Sequence, residues 1–324
     1  MEGSFSGSVI MTEGLCKRFD QVQAVDHLSL EVRKGEIFGL VGPDGAGKTT
    51  TIRMLVAILL PDGGKISVLG REIPAEAESI KPYIGYMPQR FSLYGDLTVE
   101  ENLDFYAEVY EVPRGLREQR KKELLTWAGL KPHSYKLADQ LSGGMKQKLA
   151  LACNLIHEPA VLFLDEPSTG VDPVARREFW RILFRLREQG STILVSTPYM
   201  DEAERCDRIA FMYNGRILAC ATPQAIKNLF QGHLLLLRTE TLDMLYITKE
   251  RLKREPWLDD VLIYGNSLHL TAKDKEQAGK LVPEILRREG VKVVELRPIA
   301  PSLENAFAFL VKHGGRVGGM ETGG

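Results

Sequence analysis

Nine consecutive residues, Gly42-Pro43-Asp44-Gly45-Ala46-Gly47-Lys48-Thr49-Thr50, have the make-up of a polyphosphate cradle. They fit the spacing G-x-x-x-x-G-K-[ST], in which backbone N–H groups wrap a triphosphate. Lys48 then reaches the β- and γ-phosphates, and the Thr49 hydroxyl is placed to bind Mg²⁺. Glycines at 42, 45 and 47 let the backbone take a tight, partly left-handed path. Further along, Val161-Leu162-Phe163-Leu164 reads as a hydrophobic strand ending in Asp165 and Glu166. An aspartate delivered to the carboxyl end of a buried strand suits a Mg²⁺ relay, and the adjoining Glu166 is placed to polarise an attacking water. A third stretch, Leu141-Ser142-Gly143-Gly144-Met145-Lys146-Gln147, offers Ser142 as a helix cap. Gly143 and Gly144 leave the first N–H groups of that helix open to an anion. These residue types and spacings point to binding a nucleoside triphosphate and cleaving it with water.

Such residues need a scaffold, and the surrounding pattern supplies one. Ile37 to Val41 reads as a buried strand leading into the phosphate loop. Residues 49–60 lead out with apolar side chains at Ile52, Leu55, Val56 and Leu59, a helical spacing that turns a helix N-terminus toward the phosphates. Val9–Met11, Leu28–Val32, Lys65–Leu69 and Ile84–Gln89 read as further strands. Phe19 falls in the loop between the first two strands, where an aromatic either stacks on a purine or fills a half-buried core position; the pattern alone does not separate the two. Gln89, taken alone, is a surface polar residue. Thr98-Val99-Glu100-Glu101 is a capping box, and helices follow to about residue 158. The basic run Arg114, Arg117, Arg120, Lys121 and Lys122 reads as a solvated helix face rather than a lipid patch. Asp172-Pro173 opens another helix, and Thr192–Ser196 is a strand.

The chain has 324 residues, enough for one large and one small domain. Lys and Arg number 42 against 43 Asp and Glu, so no global charge argues for nucleic acid or an anionic membrane. No uninterrupted apolar run approaches the ~18 residues of a membrane-spanning helix. Residues 1–8 lack the basic-then-apolar order of a secretory signal and read as a flexible lead-in. Cys16, Cys153, Cys206 and Cys220 show no close metal-ligand spacing, which suits reduced thiols in a cytoplasmic setting. Beyond residue 231 the order is strand, helix, hairpin over Gly265-Asn266, helix, strand. That β-α-β-β-α-β order suggests a small ferredoxin-like α+β unit, in which His269 is an ordinary strand residue. The Gly-rich residues 314–324 read as a disordered tail.

The ordered set of motifs over residues 9–230 resembles the nucleotide-binding subunit of ABC transporters. Gly42 to Thr50 resembles Walker A, Gln89 the Q-loop, Leu141 to Gln147 the ABC signature, Val161 to Glu166 Walker B with its catalytic glutamate, and Ser168 to Asp172 the D-loop. The resemblance implies an α/β fold: a P-loop ATPase core with a RecA-like mixed sheet, an antiparallel β subdomain and a helical subdomain at about 90–158. It places the ATPase in residues 9–231 and an accessory domain in 232–313. ATP and Mg²⁺ are the implied cofactors. Glu166, Lys48 and Gln89 are the implied catalytic residues, and Thr49, Gln89 and Asp165 the implied metal set. Phe19 occupies the place of the adenine-stacking aromatic. The implied mechanism is a dimer in which Ser142, Gly143 and Gly144 of one chain face the ATP held by the other.

The stretches Gly85 to Gln89, Ser142 to Lys148 and Pro301 to Phe307 look most like ABC-2-type drug exporters, the daunorubicin-resistance group among them. That likeness implies a peripheral subunit on the cytoplasmic face of the inner membrane. It would reach the membrane only through a permease, docking near Phe91-Ser92-Leu93-Tyr94. Two positions depart from the family. Pro198 stands where a histidine normally bonds the γ-phosphate, and proline offers neither side-chain donor nor N–H. Asp44 brings a carboxylate where a neutral residue is common. Slow turnover, or pairing with a second ATPase that keeps its histidine, is the expectation. A degenerate regulatory subunit is the alternative, and the partner copy is left open between homodimer and heterodimer.

Overall fold

The computed structural model describes residues 7–90 and 93–314. The expectations placed on residues 1–6, on Phe91 and Ser92 and on the tail from 315 onward lie outside these. The chain divides into two units, the first ending at Pro223 and the second beginning at Gln224.

The first unit opens with two long irregular strands, β1 (Ser8–Phe19) and β2 (Val22–Arg33). Then come β3 (Ile37–Val41), α1 (Lys48–Leu55), β4 (Gly63–Val68), β5 (Arg71–Ile73), α2 (Ala77–Ile80) and β6 (Ile84–Met87). A helical stretch follows: α3 (Val99–Val109), α4 (Arg114–Trp127) and α5 (Gly143–Leu155). The chain returns through β7 (Val161–Asp165), α6 (Pro173–Glu188), β8 (Thr192–Thr197), α7 (Met200–Ala203), β9 (Arg208–Tyr213) and β10 (Arg216–Ala221). Strands β2-β1-β4-β5 form an antiparallel sheet, and β10-β9-β3-β8-β7-β6 form a second sheet, parallel except for its β10 edge.

Every residue of β3, β7 and β8 is buried, so these strands read as apolar runs without alternation. Their register decides where the chemistry sits. Val41 pairs with Thr197, Asp165 with Ser196, and Met87 with Leu164. The phosphate loop, the paired acids, Pro198 and Gln89 therefore all leave the sheet at its carboxyl edge, the usual ligand-binding edge of parallel sheets. Phe19 closes β1 itself, with two residues between it and the start of β2, and is not in a loop as its sequence suggested. The alternation of β1 is broken by register shifts, which hid its length.

In the helical stretch, the Thr98 capping box forms with Glu101. Most of the basic run on α4 is used within the fold. Arg117 pairs with Glu108, Arg120 with Glu158, and the buried Lys121 with Asp104 and Glu118, each at 2.7 Å for the lysine. Lys121 is buried and Arg117 and Arg120 are largely covered, so three of the five basic residues are held inside the fold, which corrects the reading of the run as a solvated face.

The helix α8 (Pro223–Lys227) spans the division. The second unit holds β11 (His233–Thr239), α9 (Leu242–Leu252), β12 (Leu258–Tyr264), β13 (Ser267–Ala272), α10 (Lys275–Arg288), β14 (Val293–Pro298) and α11 (Leu303–Lys312). Its antiparallel sheet runs β12-β13-β11-β14, the ferredoxin-like arrangement, with Gly265-Asn266 as the two-residue hairpin loop. Leu245 and Leu252 of α9 share one core with Ala278, Val282 and Leu286 of α10 and with Leu235 and Leu270 of the sheet. His269 is bonded to Asn305 at 3.1 Å, and Asn305 also closes the α11 capping box with Ser302. Its role is packing.

Candidate functional site

The phosphate loop is shaped by close backbone approach. A Cβ at Gly42 would sit 2.2 Å from the Met212 carbonyl oxygen, and one at Gly47 2.2 Å from that of Ala24. Gly47 also has φ +104°, so only glycine fits there. As N-cap of α1 it brings no side chain to the free N–H groups, and no acid sits in the first turn. The end of α1 is thus left for an anion from outside.

Lys48 is almost fully buried. Its Nζ donates to the Gly42 and Pro43 carbonyls at 2.8 and 3.0 Å and lies 3.0 Å from Glu166 Oε1. Gln89 Nε2 donates to the other carboxylate oxygen at 2.9 Å. Glu166 itself has φ +48°, a strained conformation for a residue with a side chain, costing on the order of 1 kcal/mol. Its N–H donates to Ser196 Oγ at 3.0 Å.

Asp165 is fully buried. Its Oδ1 accepts from Thr49 Oγ1 at 3.1 Å and from Ser196 Oγ at 2.7 Å. Its Oδ2 has no hydrogen-bond partner among the described residues, which is costly for a buried carboxylate. Burial pushes this carboxyl above the usual range, against the two hydroxyl bonds, with the Glu166 charge adding to the rise. An orphaned carboxylate oxygen beside a threonine hydroxyl, at the mouth of a phosphate loop, is the oxygen donor set a Mg²⁺ ion uses. The residues present therefore fit a Mg²⁺–nucleotide.

The structure brings Lys48, Thr49, Gln89, Asp165 and Glu166 into one bonded cluster. Among the described residues, no hydrogen bond links Phe19 or Ser142-Gly143-Gly144 to it. The Phe19 ring is 46% exposed, with Lys17 Nζ 5.6 Å from its centroid, and Lys17 is pinned to Asp62 at 2.7 Å. It is therefore not a core side chain. Ser142 caps α5 through the Met145 N–H at 3.4 Å. Gly144 has a local reason to be glycine, since a Cβ there would lie 2.6 Å from the Ala175 Cβ on α6. Asp44 is exposed, and no ion pair among the described residues reaches it.

Three contributors were not singled out from the sequence: Ser196, Glu202 and Arg176. Ser196 bonds both acids; its only signal is a hydroxyl ending an apolar strand. Glu202 on α7 is fully buried. It accepts from Ser168 in the turn after β7 and, at 2.6 Å, from Thr197 Oγ1 at the end of β8. Arg176 Nε lies 3.6 Å away, and its guanidinium covers the Tyr199 ring at 4.4 Å. This carboxylate fastens the two loops that flank the site. Replacing Glu202 with Ala strips a half-buried arginine and two buried hydroxyls of their acceptor and is expected to cost about 3 kcal/mol in urea unfolding. Glu202→Gln, which keeps an acceptor oxygen, is expected to cost clearly less.

The family model for the ABC transporter matches residues 25–169. A Rhizobium etli Nod factor export ATP-binding protein I is 36% identical over 297 residues, 91% of this chain and 90% of that protein. This chain belongs to the ABC transporter family. The Ralstonia nicotianae Nod factor export ATP-binding protein I is 41% identical over 225 residues, covering 69% of this chain and 70% of the relative. A probable multidrug ABC transporter ATP-binding protein of Escherichia coli K12, YbhF, is 46% identical over 228 residues, 70% of this chain. The match spans 39% of that relative's own length. Among solved structures, an ATP-binding subunit of an ABC transporter superposes with a TM-score of 0.63 at 30% identity, over 68% of this chain and 92% of the other. The first unit is thus an ATP-binding cassette of the ABC family, a family of ATPases.

Proposed function

We propose that this chain is the ATP-binding and ATP-hydrolysing subunit of an ABC-2-type exporter, working by closure of two cassettes over shared ATP. The observation that carries the reading is the bonded cluster at the sheet's carboxyl edge, with Lys48, Gln89 and Glu166 on one side and Thr49 and Asp165 on the other. Its division of labour is residues 9–231 for the ATPase and 232–313 for an accessory role. The names of the relatives, multidrug transport and Nod factor export, favour export. The carried substance belongs to the membrane subunit.

Residues 42–50 hold the triphosphate, Lys48 leaving Glu166 for the β- and γ-phosphates. Phe19 stacks on the adenine. Glu166 takes a proton from water as the water oxygen bonds to the γ-phosphorus, and the bond to the β–γ bridging oxygen breaks to release ADP. Mg²⁺, when bound through Thr49, Asp165 and Gln89, supplies charge neutralisation across the phosphates. Ser142, Gly143 and Gly144 serve the ATP of the opposite chain, which agrees with the absence of described bonds between them and the chain's own cluster.

A groove of about 680 Å³ supports a membrane partner. It is lined by Ile58, Tyr86, Pro88, Tyr106, Val109 and Tyr110, with Ile58 and Val109 largely exposed. An apolar cytoplasmic segment of a permease fits there, one residue from Gln89, so docking and catalysis share an element. The subunit then sits peripherally on the cytoplasmic face of the membrane, and no helix among the described residues is long and apolar enough to cross it. Copurification with a polytopic permease, together with Mg²⁺-dependent ATP hydrolysis, tests the reading; a cassette that hydrolyses ATP but never associates with such a permease would defeat the exporter assignment.

Pro198 favours a second reading, a site that binds ATP and turns it over slowly beside a partner cassette that retains a histidine. The nearest donors on either side are engaged within the chain: the Thr197 hydroxyl donates to Glu202, and the Tyr199 N–H donates to Thr197 Oγ1. Pro198→His is expected to raise steady-state turnover on the order of 10²-fold. A wild-type rate already in the ordinary range for such ATPases, unmoved by the substitution, would dismiss the slow-site reading.

A further inference from the structure

Where β1 meets β2, Leu15 pairs with Leu28 and Lys17 with Val25. One residue of β1, Cys16, therefore faces two of β2, Asp26 and His27. This is a β-bulge, and His27 carries the positive φ (+48°) that goes with it. In a regular strand two consecutive side chains point to opposite faces. The bulge instead gathers both beside Cys16, and the thiol, carboxylate and imidazole donor atoms all lie within 4.8 Å of one another. The His27 N–H donates to Cys16 Sγ at 3.3 Å, and His27 Nδ1 lies 2.7 Å from Asp26 Oδ1.

We propose that Cys16, Asp26 and His27 form a binding site for a borderline-soft divalent cation of the zinc type, separate from the nucleotide site. The donor set is the evidence for the metal class: a thiolate, an imidazole and a carboxylate select zinc-like ions over Mg²⁺ or Ca²⁺. One thiolate and one carboxylate balance the ion's charge, the Cys16 thiol proton passing to solvent. A tetrahedral ion holds such atoms about 3.3–3.7 Å apart, so the His27–Asp26 pair opens slightly and the thiol closes in. Solvent takes the fourth position, since the His27 side chain is 81% exposed. The second carboxylate oxygen is already held by Arg216 Nε at 2.6 Å. That leaves Oδ1 for the ion and makes Arg216 the outer partner that orients the ligand. Arg216 pairs with one oxygen and the donors converge on the other, so the ion pair and the site coexist. Cys16 lies three residues before Phe19 on the same strand, so an ion here stiffens the segment that carries the exposed ring.

The test is titration of the full chain, without nucleotide, with Co²⁺ as a spectroscopic stand-in for Zn²⁺. A thiolate-to-cobalt absorption band is expected to saturate at one equivalent and to vanish when Zn²⁺ is added. Cys16→Ser abolishes the band, Arg216→Ala weakens cobalt affinity about tenfold, and His27→Asn weakens it further. Cys220→Ser leaves the band intact, and Cys153 and Cys206 are buried and out of reach. Retained circular dichroism confirms that each variant is folded. No band at a large excess of cobalt, a band that survives Cys16→Ser, or wild-type affinity in His27→Asn overturns the proposal. None of these outcomes bears on ATP binding.

Discussion

Glu166→Gln is expected to lower kcat for ATP hydrolysis by about 10²–10⁴-fold while ATP binding is retained and becomes tighter. Both halves follow from one contact. The Glu166 carboxylate holds Lys48 at 3.0 Å and Gln89 at 2.9 Å, with lysine and glutamate both nearly inaccessible to water. ATP must draw Lys48 away from that buried ion pair, and the separation opposes binding. Glutamine removes the competing charge and also the only carboxylate in the cluster besides Asp165 that can take a proton from water. Single-turnover hydrolysis and nucleotide titration read the two halves separately. A variant retaining more than a tenth of the wild-type rate places the base elsewhere, and weaker binding shows that the ion pair does not compete with ATP.

Asp165→Asn is expected to stabilise the nucleotide-free protein and to abolish its response to Mg²⁺–ATP. Burial raises the Asp165 carboxyl above its ordinary value, so the folded state binds this proton more tightly than the unfolded chain does. Below the unfolded value the group costs nothing. As pH rises from there through the raised value, ionisation costs increasing stability, and above the raised value the whole cost is present. Asparagine never ionises, so its melting temperature should exceed wild type increasingly as pH rises and converge with it in acid. Wild type at a hundred times its Kd for Mg²⁺–ATP gains about 2.7 kcal/mol from ligand. The variant should gain little and lose on the order of 10²–10³ in turnover. Calorimetry across pH, with and without Mg²⁺–ATP, checks both. A destabilised apo variant, or an undiminished shift with Mg²⁺–ATP, contradicts the assignment.

The legible and the hidden parts of this molecule separate on physical grounds. The phosphate loop could be read because close backbone approach at Gly42 and Gly47 excludes every side chain, which restricts sequence strongly and locally. Asp165 and Glu166 could be read because an all-buried strand cannot end in two acids without a purpose at the sheet edge. The ferredoxin-like unit was legible through its hairpin glycine and its alternation of strand and helix patterns. Ser196, Glu202 and Arg176 were not, because their partners lie on other elements and each is ordinary in its own segment. The Cys16–Asp26–His27 group was hidden for a sharper reason: consecutive strand residues are read as facing apart, and only the observed bulge reverses that. The same register shifts made β1 look like a three-residue strand and moved Phe19 into an expected loop. Gly144 carries a caution for motif reading, since packing against Ala175 requires glycine there whatever its role toward nucleotide.

The claim on which the rest depends is that ATP joins two cassettes. Sedimentation equilibrium of the Glu166→Gln chain with Mg²⁺–ATP, alone and mixed with its companion cassette, tests it most directly. The account predicts twice the monomer mass with Mg²⁺–ATP, reverting to monomer when Mg²⁺ is chelated. A monomer in every mixture, at saturating nucleotide, would contradict it.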